Sequence, residues 1–188
     1  MPAVQAISER FPLGSLCPDF ALPDAVTGRI VRRDDLQGKA LLLIIACNHC
    51  PYVVHVIDEI TRVGNEYLAK GVAVAAINAN SERTHPQDGP PYMKALAEEK
   101  GWRFPFLFDA TQEVARALDA MCTPDFYVFD EKRRLVYHGQ LDDARPGNGR
   151  PVTGADLRRA LDAVLEGKPV PSPQKPSMGC SIKWHPEE

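Results

Sequence analysis

The stretch Lys39–Asn78, KALLLIIACNHCPYVVHVIDEITRVGNEYLAKGVAVAAIN, decides the fold. Residues 39–46 are a continuous apolar run of strand length, which suits a strand buried on both faces. From Pro51 to Lys70 the apolar residues Val53, Val56, Ile57, Ile60, Val63 and Tyr67 recur at helical spacing. Asp58, Glu59, Arg62 and Glu66 fall on the other side, so the segment reads as an amphipathic helix closed by Gly71. VAVAAIN is a second buried strand, and strand–helix–strand implies a right-handed crossover to a parallel neighbour. Cys47 and Cys50 sit where the first strand turns into its helix. In open α/β sheets, sites form at the carboxyl ends of strands.

Outward from this unit the pattern continues. FALPD and GRIVRR read as an N-terminal hairpin around AVTG. DGPPYMKALAEEKG reads as a helix with prolines in its first turn and a closing glycine, and FPFLFD as a short strand. DATQEVARALDA reads as a helix starting at Asp109, with Gln112 in capping-box spacing. DFYVFD and LVYHGQL form a hairpin, and TGADLRRALDAVLEG is a last helix. The sum is α/β: a central mixed β-sheet flanked by helices, with an inserted helix and short strand. Residues 1–167 read as one domain and 168–188 as an irregular proline-rich tail.

The chain of 188 residues carries a net charge of −3. Nothing in that balance points to nucleic acid or an anionic membrane, and no run is long enough to span a bilayer. The first residues have no apolar core of a secretory signal, and five scattered cysteines make a poor disulfide framework, so the expected location is cytoplasmic.

Two cysteines three residues apart at a helix start can close a small disulfide. Hydrogen-bond donors at such a start stabilise a thiolate, the nucleophilic form. A structural zinc site needs about four ligands, and no second cysteine pair stands at finger spacing. The expectation is therefore redox chemistry with neither metal nor cofactor.

These motifs resemble the redoxin branch of the thioredoxin fold, related to thioredoxins and peroxiredoxins, over about Gly14 to Gly167. GSLCPDFALPD resembles the branch's lead-in segment, DDLQGKALLLIIACNHC its strand into the site, and CTPDFYVFD its cis-proline segment. The NHCPYV site, the LDDARPGNG loop and the GCSIKW tail are similar to those of a peroxiredoxin-like subgroup. The resemblance implies a thioredoxin-like fold with Cys47 and Cys50 as a dithiol/disulfide couple. It implies that Asn48, His49 and Pro51 shape the site and that Thr123–Pro124 is a cis bond beside the cysteines. It also implies that the Thr123 backbone pairs with an extended substrate peptide. His49 occupies the slot of the histidine in the CGHC pair of protein disulfide isomerase, which implies a couple less reducing than thioredoxin.

The sequence departs from both parents. Ala46 stands where thioredoxins carry tryptophan. With Cys50 in the peroxidatic position, Leu43 replaces the proline and Cys47 the Thr/Ser of peroxiredoxins, so a peroxide-holding hydroxyl is missing.

The resemblance and Pro51 disagree on the attacking thiol. Thioredoxin logic makes Cys47 the attacker on protein disulfides, and that is the expectation. Proline, however, favours the first helical position and pushes its predecessor out of the helical region, which would place Cys50 at the cap.

Cys122, two residues before Pro124, is a third redox thiol or a core residue. Cys180, in the tail, is a resolving thiol if the tail folds back. Cys17 reads as packing, and LDDARPGNGR as a solvated loop. The function expected is a thiol–disulfide oxidoreductase acting on a disulfide-containing protein or small thiol substrate and served by a reducing system. The alternatives are a thiol peroxidase with Cys50 peroxidatic and Cys47 resolving, and a non-enzymatic dithiol module that binds a metal or partner.

Overall fold

A computed structural model describes residues 3–187. In chain order its elements are β1 (Ala3–Gln5), β2 (Ala21–Pro23), β3 (Ile30–Arg32), β4 (Ala40–Ile45), α1 (Pro51–Val54) and α2 (Ile57–Ala69). There follow β5 (Val72–Asn78), α3 (Pro90–Lys100), β6 (Phe106–Phe108), α4 (Glu113–Ala117), β7 (Cys122–Thr123) and β8 (Asp125–Phe129). The chain closes with β9 (Leu135–Gly139), α5 (Ala155–Leu165) and β10 (Met178–Ser181).

The central sheet has the order β6-β5-β4-β8-β9. β4, β5 and β6 run parallel, while β8 and β9 are antiparallel. All six residues of β4 are buried, as a continuous apolar run requires of a strand covered on both faces. Successive side chains enter opposite cores. Leu42 and Ile44 pack with Ile60, Val63, Tyr67, Met93, Leu157 and Leu161 from α2, α3 and α5. Leu41, Leu43 and Ile45 pack with Phe11, Phe20, Val114 and Tyr127 on the other side. This is the thioredoxin-like fold, with β2 and β3 as its N-terminal hairpin and α3 with β6 as the inserted helix and short strand.

Three segments differ from the reading of the sequence. The helix expected from Pro51 to Lys70 breaks after Val54 and resumes at Ile57, and Val56 sits at φ −116°, ψ 8°. β-branched Val53, Val54, Val56 and Ile57 crowd this stretch and resist regular helix. The helix expected from Asp109 is only α4, whose cap Gln112 lies in the left-handed region at φ 66°. Gln112 is not used as a capping-box partner. Its amide donates to Ala79 O and Lys183 O and its oxygen accepts from His185 N–H, tethering the C-terminal segment.

The third difference is in that segment. Residues 168–177 carry neither helix nor strand, but Met178–Ser181 is a strand rather than irregular chain. It forms the middle of a second sheet, β1-β10-β7. Pro171, Pro173 and Pro176 interrupt the approach and then stop, leaving donors free to pair.

Candidate active site

Pro51 sets the local geometry. It is the first residue of α1, and Cys50 is the cap residue in extended backbone, φ −61° and ψ 126°. The carbonyl of Cys50 accepts from Val53 N–H and Val54 N–H, both at 2.9 Å. Three residues earlier Cys47 follows the end of β4, where Ala46 N–H still pairs with Ile77 O. Both cysteines are 1% exposed.

Their environments differ. Cys50 is held below the ordinary 9.0, at about 4, chiefly by the adjacent Cys47 thiol and then, against the cost of burial, by the Cys180 thiol and the Thr123 hydroxyl. As a neutral thiol, Cys50 Sγ instead donates to Thr123 O at 3.5 Å. Cys47 is driven the other way: it donates to Cys50, it is buried, and the Asp88 carboxylate repels a second negative charge.

The Thr123–Pro124 bond is cis, and Thr123 stands against both cysteines, its hydroxyl 3.4 Å from Cys47 Sγ. Pro124 lines a small cleft with Tyr52, Val56, Gln140, Asp142 and Arg145. The start of the LDDARPGNGR loop, residues 141–145, therefore walls this cleft, while residues 146–150 are exposed as a solvated loop would be. Asp142 is buried and accepts from Ala144, Thr153 and Gly154 N–H, while Arg145 donates to Gln140 and to the carbonyls of Asp142 and Ala144.

The edge at Thr123, expected to receive a substrate peptide, is already taken. β10 pairs with β7 antiparallel, placing Cys180 opposite Thr123 and Ser181 opposite Cys122. A Cβ on Gly179 would lie 1.9 Å from Thr123 O, so only glycine lets the two backbones approach. Cys180 thereby joins Cys47 and Cys50 in one buried cluster, and burial first, then the neighbouring Cys50 thiol, pushes it up to about 11.

Asp88 is the residue that sequence reading missed. It ends a 3₁₀ turn, Pro86–Asp88, and its side chain is fully buried. Its carboxylate accepts from Asn48 N–H and the Asn80 amide, each at 3.0 Å, and pairs with His49 Nδ1 at 2.6 Å. The His49 side chain is 34% exposed and its ring stacks on His85. Asn48 and His49 thus grip a buried carboxylate. HPQDGPP carries no sign of this, because an aspartate before glycine ordinarily marks a surface turn. Ligating atoms of Cys47, His49 and Asp88 lie within 4.8 Å of one another. The 2.6 Å histidine–carboxylate separation is nevertheless that of a hydrogen bond, closer than two ligands sit on one ion.

Two cysteines stay apart from this chemistry. Cys122 is fully buried, and burial with the nearby Asp125 pushes its thiol far up. Cys17 is buried and pushed up to about 12. Cys122 stands opposite Ser181 rather than Cys180 and is fully buried, the burial of a core residue. Among the described residues, no helix is long and apolar enough to cross a membrane.

Comparison with known proteins places this geometry. The model of the AhpC/TSA family matches residues 13–138. An uncharacterized conserved protein from Geobacillus kaustophilus is 54% identical, with a TM-score of 0.95 over 100% of this chain and 99% of that one. A hypothetical protein from Sinorhizobium meliloti 1021 is 47% identical, with a TM-score of 0.93 over 96% and 98%. A thiol:disulfide interchange protein of the thioredoxin family from Chlorobium tepidum shares the fold at 19% identity, with a TM-score of 0.62 over 82% and 98%. No curated protein sequence matches.

Proposed function

This chain belongs to the AhpC/TSA family, and from that premise we propose that it is a thiol–disulfide oxidoreductase of a CxxC subgroup, with Cys50 as nucleophile and Cys47 as resolving thiol. The observation that carries the reading is positional: Cys50 caps α1 directly before Pro51, while Cys47 stands within 4.8 Å of the buried Asp88 carboxylate, which opposes its ionisation. This order is the reverse of the one thioredoxin logic implies.

In the proposed reaction the Cys50 thiolate attacks one sulfur of a substrate disulfide. The substrate S–S bond breaks, a Cys50 mixed disulfide forms, and one half leaves as thiolate. Cys47 then attacks Cys50 Sγ, closing the Cys47–Cys50 disulfide and releasing the other half. The proton that Cys47 gives up passes to the neighbouring His49–Asp88 pair. A dithiol reductant returns the couple to its starting state. A stabilised Cys50 thiolate favours the reduced form, which makes the couple more oxidising than thioredoxin, in line with the slot His49 occupies. The scattered cysteines favour a reducing, cytoplasmic setting.

With dithiothreitol as reductant, the purified protein is expected to accelerate reduction of a small disulfide well above the uncatalysed rate, and to consume hydrogen peroxide no faster than Cys50→Ser does. Fast peroxide consumption without disulfide reduction would replace this reading with the peroxidase one. Stoichiometric zinc shielding both thiols from alkylation would replace it with a binding module.

A further inference from the structure

The exchange just described uses two thiols, yet a third touches the site. Cys180 stands opposite Thr123 in the β7–β10 register, Cys50 Sγ lies 3.5 Å from Thr123 O, and Cys47, Cys50 and Cys180 belong to one buried cluster. The placement is built in. Before β10, Gln140 N–H donates to Lys175 O, Ser177 Oγ to Gly139 O and Ala6 N–H to Ser177 O, at 2.8–2.9 Å. After it, Ile182 N–H donates to Met121 O at 3.0 Å and Ser81 N–H to Lys183 O at 2.7 Å. β1 covers the far edge, with Ala3 opposite Cys180. Anchors on both sides fix the register, and Gly179 lets the strand lie against the cis-proline loop. Exposure also rises along the series, from 1% at Cys47 and Cys50 to 9% at Cys180. The inner pair is the more deeply buried, and Cys180 is the outermost of the three.

We propose that Cys180 is a third redox thiol of this site, exchanging with the Cys47–Cys50 disulfide to form a Cys50–Cys180 disulfide that a reductant can reach. The proposal rests on the oxidoreductase reading above. In the step, Cys180 sulfur attacks Cys50 Sγ. The Cys50–Cys180 bond forms, the Cys47–Cys50 bond breaks, and the electron pair leaves on Cys47. Cys47 takes up the proton that Cys180 gives up, so one disulfide is exchanged for another with no outside oxidant. β10 then stands where a substrate strand would lie, and the oxidising equivalent moves outward by one cysteine.

The test uses full-length Cys47→Ser, reduced and then treated with oxidised glutathione, acid-quenched, alkylated and mapped by mass spectrometry without reduction. The expected product is a Cys50–Cys180 cross-linked peptide, with two glutathione thiols released per chain. A persistent glutathione adduct on Cys50, with Cys180 alkylated, would overturn the relay and leave the nucleophile assignment standing. Absence of any Cys50 adduct would overturn both. Wild type treated in the same way guards against a misfolded variant. It is expected to show the Cys50–Cys180 peptide beside the Cys47–Cys50 one, and the first of these disappears in Cys180→Ala. Absence of the Cys50–Cys180 peptide from wild type and variant alike also overturns the relay.

Discussion

Cys50→Ser is expected to end disulfide exchange altogether, whereas Cys47→Ser forms a bond at Cys50 but cannot turn over through the Cys47–Cys50 couple. At neutral pH an unperturbed thiol is ionised only to a few per cent, while Cys50, near 4, is almost wholly thiolate. Part of that population advantage is offset, because nucleophilicity falls as the pKa falls. The low value serves the second half of the cycle as well, since a thiol that ionises easily is a good leaving group when a reductant attacks its partner. Removing Cys50 takes away both roles, and the remaining thiols are buried with values pushed up. Turnover of a small disulfide should fall about 30-fold or more, the ratio of a nearly full thiolate population to one of a few per cent. Stopped-flow measurement should show a single-turnover burst in Cys47→Ser and none in Cys50→Ser. The opposite pattern would restore Cys47 as the attacker.

The second large effect is expected at Gly179→Ala. The added methyl would meet Thr123 O at 1.9 Å and the Thr123 carbonyl carbon at 2.6 Å. Both are backbone atoms, held by the cis-proline loop on one side and the β7–β10 pairing on the other. Relief requires β10 to leave β7, which opens the site and separates Cys180 from Cys50. Overpacking of this kind costs about 3 kcal/mol, which for a chain of this size is a fall of roughly 6–12 °C in Tm. Gly28→Ala is the comparison. Gly28, unlike Gly179, has a positive φ, +76°, and a Cβ there meets nothing within 4 Å, so only left-handed strain of roughly 1–2 kcal/mol remains. Calorimetry of the two variants, with the alkylation rate of Cys50, separates contact from strain. Equal losses in both variants, with Cys50 still protected, would mean that β10 is not held by that contact.

What could be read directly from the residues was whatever a short stretch encodes. β4, β5 and the crossover between them follow from continuous apolar runs flanking a helical period, and the CxxC falls at their junction. Thr123–Pro124 was reached through the CTPD motif. Pro51 alone pointed to the cap at Cys50, against the order implied by resemblance, because its constraint on the preceding residue is local and steric. What was not legible is non-local. β10 is four residues whose partners, β1 and β7, lie far away in the chain, and the prolines before it disguise a strand as a tail. Asp88 reaches His49 and the Asn48 N–H from 40 residues further along the chain, from a turn with an ordinary surface composition. The spacing of Gln112 fits a cap, yet its side chain serves the backbone of the C-terminal segment. In each case a buried polar group found its partner through tertiary packing, which no window of sequence displays.

The claim on which the account rests is that Cys50 is the thiolate of the pair, and thiolate absorbance at 240 nm reads it without a reagent having to enter a buried site. Reduced wild type, titrated downward in pH, is expected to lose the absorbance of one thiolate per chain with a midpoint far below 9 and toward 4, the direction set by the donors around Cys50. Reduced Cys50→Ser is expected to show no acid step. A step that persists in Cys50→Ser, or a first ionisation in wild type near the ordinary 9, would contradict the account.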